Sequence, residues 1–288
     1  MTARPGDVLR VSDHVTCMTL PVDTLPPYDH TNAYLVTHNG VALLVDPGSR
    51  DPASLETIAA TMHAAGARSL KAVVLTHTHP DHIDGVPLVL EAYVSPPVYV
   101  HQLEAHRLPE QWPVTVLQGG RRLTVGDVVI EALHTPGHSP GHVTLVVRSP
   151  DDVIECALVG DLVVDSGSVW VGLPEGDMAA YLASLAAIAD LDAPLLCAGH
   201  GPLITRPRQR LGEMAQHRLD RERQIVAVLR DGPRTVPEIT NLVYPGLAEP
   251  VVELAARSVA AHLVKLVDEQ VVSRDGHDDD GPYRLVSG

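Results

Sequence analysis

Residues 71–85 read KAVVLTHTHPDHIDG, and His77, His79, Asp81 and His82 fall within six positions straight after an apolar run. Imidazole and carboxylate at that density are the ligand types of zinc and other divalent transition metals. Alternate residues of an extended segment point the same way, so His77 and His79 can aim at one ion. Pro80 biases His79 towards an extended conformation and suits a helix start. Asp81 and His82 then fall in a first helical turn, where they can serve a second ion close by.

Two ions need more than four side chains. His138 lies in HTPGHSPGH, Asp161 closes ECALVGD, and His200 lies in LLCAGHGP. In each case an apolar run stops at a Gly-containing turn and an ionisable residue appears. Such strand-end loops are where a rigid scaffold presents chemistry. Any one of the 16 histidines, taken singly, is more often a surface or hydrogen-bonded residue than a ligand. The cluster at 77–82 is what raises the three later positions. Asp46, in VDPG, is a candidate support behind a ligand. His134 and His142 read as structural or supporting residues before they read as general acids.

The elements that must position these residues are short. NAYLV (32–36) and VALLVD (41–46), split by an Asn-Gly pair, predict a β-hairpin. A helix is expected over 53–65, ending at Gly66, then a buried strand over 72–75 and a helix over 81–93. Strands follow at 97–101, around the Gly126-Asp127 turn of 122–135, at 142–149, 155–161 and 193–199, with a helix over 178–191. β-rich blocks interleaved with helices suggest face-to-face sheets with helices outside. After RPRQR (206–210) the character changes. Helices over 213–230 and 249–269 flank TVPEITNLV (235–243), where Thr235 and Glu238 make a capping-box pattern. VVSR (271–274) and YRLV (283–286) predict a closing hairpin around the acidic DGHDDDGP. Three helices and a hairpin suggest a winged helix, giving domains at 1–212 and 213–288.

The chain has 288 residues and a net charge of −15. Residues 206–288 carry 12 Arg and Lys against 13 Asp and Glu, so 1–205 carry 9 against 23. That balance argues against non-specific binding to polyanions. Cys17, Cys156 and Cys197 are odd in number and far apart, which fits a reducing, cytoplasmic location. The N-terminus has no apolar core of a signal peptide, and no apolar stretch is long enough to span a membrane.

HTHPDH resembles the H-x-H-x-D-H signature of the metallo-β-lactamase superfamily, and TPGHS, VGD and GHG follow in that superfamily's order. The resemblance covers roughly 10–205 and implies an α+β protein, a four-layer αβ/βα sandwich with two divalent metal ions at one edge. It implies that His77, His79 and His138 bind one ion, that Asp81, His82 and His200 bind the other, and that Asp161 bridges. Zinc comes first, with manganese or iron also permitted by His/Asp ligation. A water held between two such ions is the implied nucleophile, with Asp161 bridging and Asp81 orienting it.

GHGPLI, HRLDRERQIVAVL (217–229) and the winged-helix tail resemble the lactamase-beta-like protein 2 family across nearly the whole chain. Animal members of that family resemble endoribonucleases selective for single-stranded RNA. Fungal relatives resemble thioesterases that release polyketides from carrier proteins. The first expectation is therefore hydrolysis of single-stranded RNA, with ester or thioester hydrolysis of glyoxalase II or acyl-carrier type beside it. From another class, a non-catalytic nucleic-acid-binding regulator with a metal-sensing domain is a third. Eight arginines at 206, 208, 210, 218, 221, 223, 230 and 234 could follow a phosphate backbone or form a solvated helix face. Single-strand binding favours stacking aromatics, for which Tyr28, Tyr93, Trp112 and Trp170 are the candidates. A small-molecule ester, thioester or RNA is the partner, no membrane is involved, and a homodimer is compatible.

Overall fold

Along VALLV (41–45) neighbouring residues enter different cores: Leu43 and Val45 join one buried cluster, Ala42 and Leu44 another. A strand covered on both faces must be apolar throughout. The computed structural model describes residues 4–249, 251–275 and 281–286. Its first sheet holds β1 (Val8–Arg10), β2 (Val15–Pro21), β3 (His30–His38) and β4 (Val41–Val45), and after α1 (Pro52–Ala64), β5 (Ser69–Val74). α2 (Pro80–Ile83) and α3 (Val86–Ala92) lead to β6 (Val98–His101) and β7 (Val114–Leu117). The seven strands lie in sequence order, antiparallel up to β4 and parallel from β4 to β7.

The second sheet contains β8 (Arg122–Val125), β9 (Val128–His134), β10 (Val143–Arg148) and β11 (Ile154–Gly160), then after α4 (Met178–Asp190) the parallel edge strand β12 (Leu196–Ala198). Val36, Leu43, Val45 and Val74 meet Ile130, Val143, Leu145 and Leu158 between the sheets. Leu35, Leu44 and Val73 pack outwards on Ile58 and Met62 of α1 and Val86 and Val89 of α3. Ala157, Val159, Leu196 and Ala198 pack outwards on Tyr181, Leu185 and Ile188 of α4. The result is the expected four-layer order of helix, sheet, sheet, helix.

α5 (Pro207–Val228) runs out of this body, followed by α6 (Val236–Val243), α7 (Val251–Asp268) and the hairpin β13 (Val272–Arg274) with β14 (Tyr283–Leu285). Ile225, Leu229, Ile239, Val259, Leu263, Val272 and Tyr283 form their shared core. The Thr235–Glu238 capping box is present at the start of α6. The residues 276–280 of the acidic hairpin tip lie outside the described residues.

Two expectations need correction. The helix predicted over 81–93 is two helices, because the Gly85 N–H donates to the Pro47 carbonyl of the loop after β4 at 2.9 Å instead of continuing the helical ladder. The helix predicted from 213 begins at Pro207, a favoured first helical residue. The position 212/213 therefore falls inside one continuous helix whose Leu211 and Met214 join the α4 cluster while Ile225 joins the winged-helix core. Strands β1, β2 and β7 were not foreseen from the sequence.

Candidate metal centre

The C-terminal ends of β4 and β5 in one sheet and of β11 and β12 in the other meet at one edge of the sandwich. Asp46 follows β4, His77 and His79 follow β5, Asp161 follows β11, and His200 follows β12. His138 comes from the β9–β10 turn, whose Gly137 has φ of +131° and would place a Cβ 2.4 Å from the Tyr181 Cα. Gly199 has a similar constraint, since a Cβ would lie 2.4 Å from Asp161 Oδ1 and 2.7 Å from His82 Cε1. Glycine at that position lets β12 approach the cluster.

All seven residues expected to form the site come together. His79 Nδ1 lies 3.0 Å from His77 Nε2 and 2.9 Å from His138 Nε2. Asp161 points Oδ2 at His138 Nε2 (3.7 Å) and Oδ1 at His82 Nε2 (3.3 Å) and His200 Nε2 (3.5 Å). Asp81 Oδ2 is 3.4 Å from His200 Nε2 and accepts the Thr24 hydroxyl. Three groups whose ligand atoms all lie within 4.8 Å of one another can each hold an ion: His77, His79 and His138; His77, His82 and Asp161; Asp81, His82 and His200.

Each outward ring nitrogen has its own partner. His77 Nδ1 meets Thr76 Oγ1 at 3.1 Å, and His79 Nε2 meets Glu175 Oε2 at 3.2 Å. His82 Nδ1 meets Asp46 Oδ2 at 2.9 Å, His138 Nδ1 the Trp170 carbonyl at 2.8 Å, and His200 Nδ1 the His30 carbonyl at 2.7 Å. Metal-binding histidines are held this way, with the second nitrogen on a carboxylate, carbonyl or hydroxyl. The inward atoms His82 Nε2 and Asp161 Oδ1 are buried without a hydrogen-bond partner. Buried polar atoms left unpaired are rare, and a divalent cation satisfies these. The donor set of five imidazoles and two carboxylates therefore fits two divalent ions.

Protonation agrees with that fit. Burial holds the His77 imidazole well below its usual range and His138 at about 4, so both are neutral and able to ligate. Burial alone would lower His200 and His82 as well. Asp161 with Asp81 outweighs it and pushes His200 up to about 10, and Asp161 with Asp46 holds His82 well above its usual value. Protons on those two rings occupy the electrostatic position a cation would take, so loading must release them.

Sequence reasoning missed Glu104. It is fully buried beyond β6 and accepts from Thr78 N (2.7 Å), Thr78 Oγ1 (2.8 Å), Ser139 Oγ and Gly141 N (2.9 Å). One carboxylate thereby fastens the His77–His79 segment to the His138 turn. HQLEAHR has no spacing signal that would reveal this role. His142 lies buried behind His77 with Nδ1 on Thr135 Oγ1, and His134 sits at the surface with Nε2 on the Pro140 carbonyl.

A two-sheet sandwich with such a cluster at one edge defines a class of metal-dependent hydrolases. The chain belongs to the metallo-beta-lactamase superfamily, whose family model matches residues 26–200, and a beta-lactamase associated winged helix domain matches 235–280. It is similar to the Beta-lactamase-like protein 2 homolog of Caenorhabditis elegans, with 26% identity over 84% of this chain and 80% of that protein. An atrochrysone carboxyl ACP thioesterase of Aspergillus chevalieri is 30% identical over 84% of this chain and 77% of its own length. Among solved structures, a metallo-beta-lactamase family protein from Thermus thermophilus superposes with a TM-score of 0.74 and 26% identity, covering 95% of this chain and 99% of that one. The protein is a hydrolase of this superfamily. No helix of the described residues is long and apolar enough to cross a membrane.

Proposed function

We propose that this hydrolase cleaves acyl thioesters or related esters at a dinuclear centre. His77, His79 and His138 would hold one ion and Asp81, His82 and His200 the other, with the Asp161 carboxylate lying between the two groups. When bound, two divalent ions, zinc first with manganese or iron as alternatives, supply Lewis acidity and a water acidic enough to act near neutral pH. The Asp81 carboxylate, held well below its usual range despite burial by the His200 and His82 rings, is an acceptor that can orient a reacting water. The backbone and side-chain bonds to the outward nitrogens keep each imidazole in one tautomer.

The observation that carries the choice of substrate is the fate of the arginine stripe. Arg210 donates to the Val164 and Gly167 carbonyls, Arg218 to Val169, Arg221 to Val243 and Arg234 to Val228. Arg221 also covers the Tyr244 ring at 3.8 Å. These four of the eight arginines join elements of the fold, and only Arg206, Arg208, Arg223 and Arg230 stay exposed, which weakens the stripe's reading as a path for a phosphate backbone. The aromatic candidates are likewise engaged: Tyr28 stacks on His200, and Trp112 and Tyr93 pack against the α1–α3 core. A thiol leaving group, with a pKa of about 8.5, departs readily as the anion and needs little help from a protein acid. That suits a site whose sequence candidates for the acid sit apart from it, His134 at the surface on the Pro140 carbonyl and His142 buried behind His77 with Nδ1 on Thr135 Oγ1. The thioesterase relative supports the same reading, and the three buried, free cysteines suit a reducing cytoplasm.

Hydrolysis of an acyl-N-acetylcysteamine thioester and of end-labelled single-stranded RNA, by the wild type and by Asp161→Asn, tests it. Thioester hydrolysis that disappears in the variant is expected. RNA cleavage that disappears in the variant, with thioesters untouched, would return the assignment to an endoribonuclease.

A further inference from the structure

The segment 162–176, between β11 and α4, contains no helix or strand of its own, yet two of the proposed metal ligands rest on it. The Trp170 carbonyl meets His138 Nδ1, and the Glu175 carboxylate meets His79 Nε2. A segment without a regular hydrogen-bond ladder takes its position from whatever side chains and loops tie it down. Here much of the anchoring comes from the part of α5 that packs on α4, and from α7 of the winged-helix module. From α5, Arg210 donates to Val164 and Gly167, and Arg218, itself only 4% exposed, donates to Val169. From α7, the Leu254 carbonyl accepts the Trp170 indole N–H at 3.1 Å, and the Arg257 carbonyl accepts the Leu173 N–H at 3.2 Å. Gly172 lets α7 pass, since a Cβ there would lie 3.1 Å from the Arg257 carbonyl carbon.

We propose that the winged-helix module is a working part of the metal centre, and that Trp170 is the positioning residue linking the two. α7 fixes the indole at Leu254; the indole fixes its own backbone; the backbone carbonyl fixes the tautomer and rotation of His138. His138 then turns Nε2 towards His79 Nδ1 and Asp161 Oδ2. Supports behind a metal ligand commonly change metal affinity by about 10- to 100-fold when removed. Undocking of α7 therefore loosens one of the two ion sites without touching a ligand.

The inference rests on the proposed ligand set, and the test separates the two. Cobalt(II) is titrated into metal-free wild type, Trp170→Phe and Trp112→Phe, following the visible ligand-field spectrum and competing with a chelator. Trp170→Phe keeps an aromatic ring and the backbone carbonyl but loses the N–H. The expected result is about tenfold weaker binding of one of two cobalt ions, with an altered spectrum, while Trp112→Phe, in the opposite helical layer, matches the wild type. If Trp170→Phe fails to fold, Arg218→Lys, which loosens the neighbouring tie at Val169, replaces it with the same expectation. Wild-type affinity and spectrum in the folded variant would overturn the coupling and leave the ligand set standing. A wild type that binds no cobalt would overturn both.

Discussion

Asp46 Oδ2 lies 2.9 Å from His82 Nδ1, and the same carboxylate accepts the Thr76 amide at 2.8 Å and the Thr76 hydroxyl. Asp46 follows β4 and Thr76 follows β5, so one buried side chain joins two parallel strands and aims an imidazole. Its backbone φ of +49° is a left-handed value that Asp and Asn tolerate better than most residues.

Asp46→Asn keeps that backbone preference and removes the charge behind His82. Metal affinity is expected to fall by about 10- to 100-fold while the fold persists. Chelator competition with a zinc indicator, alongside circular dichroism, measures both.

Glu104→Gln leaves four donors facing an amide that offers one acceptor oxygen and two donor hydrogens of its own. Each stranded buried group costs about 1–3 kcal/mol. Denaturant unfolding is expected to show a loss in that range or above it. Metal binding should weaken at the His77–His79–His138 group, because that is the pair of loops the carboxylate joins. Unchanged stability with unchanged metal binding would remove Glu104 from this role.

Metal removal should lower the melting temperature as well as the activity. Ligands that bind only the folded state stabilise it by about 2.7 kcal/mol at a free concentration 100 times Kd. The protons carried by His82 and His200 in the metal-free state must leave on loading, so calorimetric titration in buffers of different ionisation enthalpy should reveal proton release.

The winged-helix module carries its own pH dependence. Burial would raise the Glu222 carboxyl, but the nearby His262 ring and the hydrogen bond from Lys265 outweigh it and set Glu222 below its ordinary value of 4.5. A depressed folded-state value means stability that is present above the unfolded value and lost as pH falls through the folded one. His262, held low by burial, acts in the same direction, since below its ordinary value of 6.5 the unfolded chain takes up its proton more readily. Thermal unfolding should therefore show a loss of stability from about pH 6.5 downwards that steepens below about pH 4.5. Glu222→Gln should flatten the steeper, more acidic part. A variant with the wild-type acid profile would show that the Glu222–Lys265 pair contributes nothing.

Much of this architecture was legible along the chain. Strands, helices and layers follow from side-chain periodicity, which is a local property: two residues per strand repeat, and about three and a half per helical turn. The seven proposed ligands were legible for the same reason. His77, His79, Asp81 and His82 are dense enough to stand out alone, and His138, Asp161 and His200 each mark the end of an apolar run. Strands β1, β2 and β7 and the break at Gly85 were not legible, because they depend on which neighbour a segment meets.

What only the tertiary structure decided is most of what stands behind the ligands, Asp46 on His82 being the exception. Glu104 joins Thr78 to Ser139 and Gly141 across 26 to 37 residues of chain. The carbonyls of His30 and Trp170 that orient His200 and His138 have no side-chain identity to read. The arginines of 206–234 look alike in sequence, whether they meet solvent, phosphate or a carbonyl of the same chain. Ligand chemistry is a property of residue type and is written in the sequence. Orientation and affinity come from partners distant in sequence, and those are known only once the sheets have closed on one another and α7 has docked.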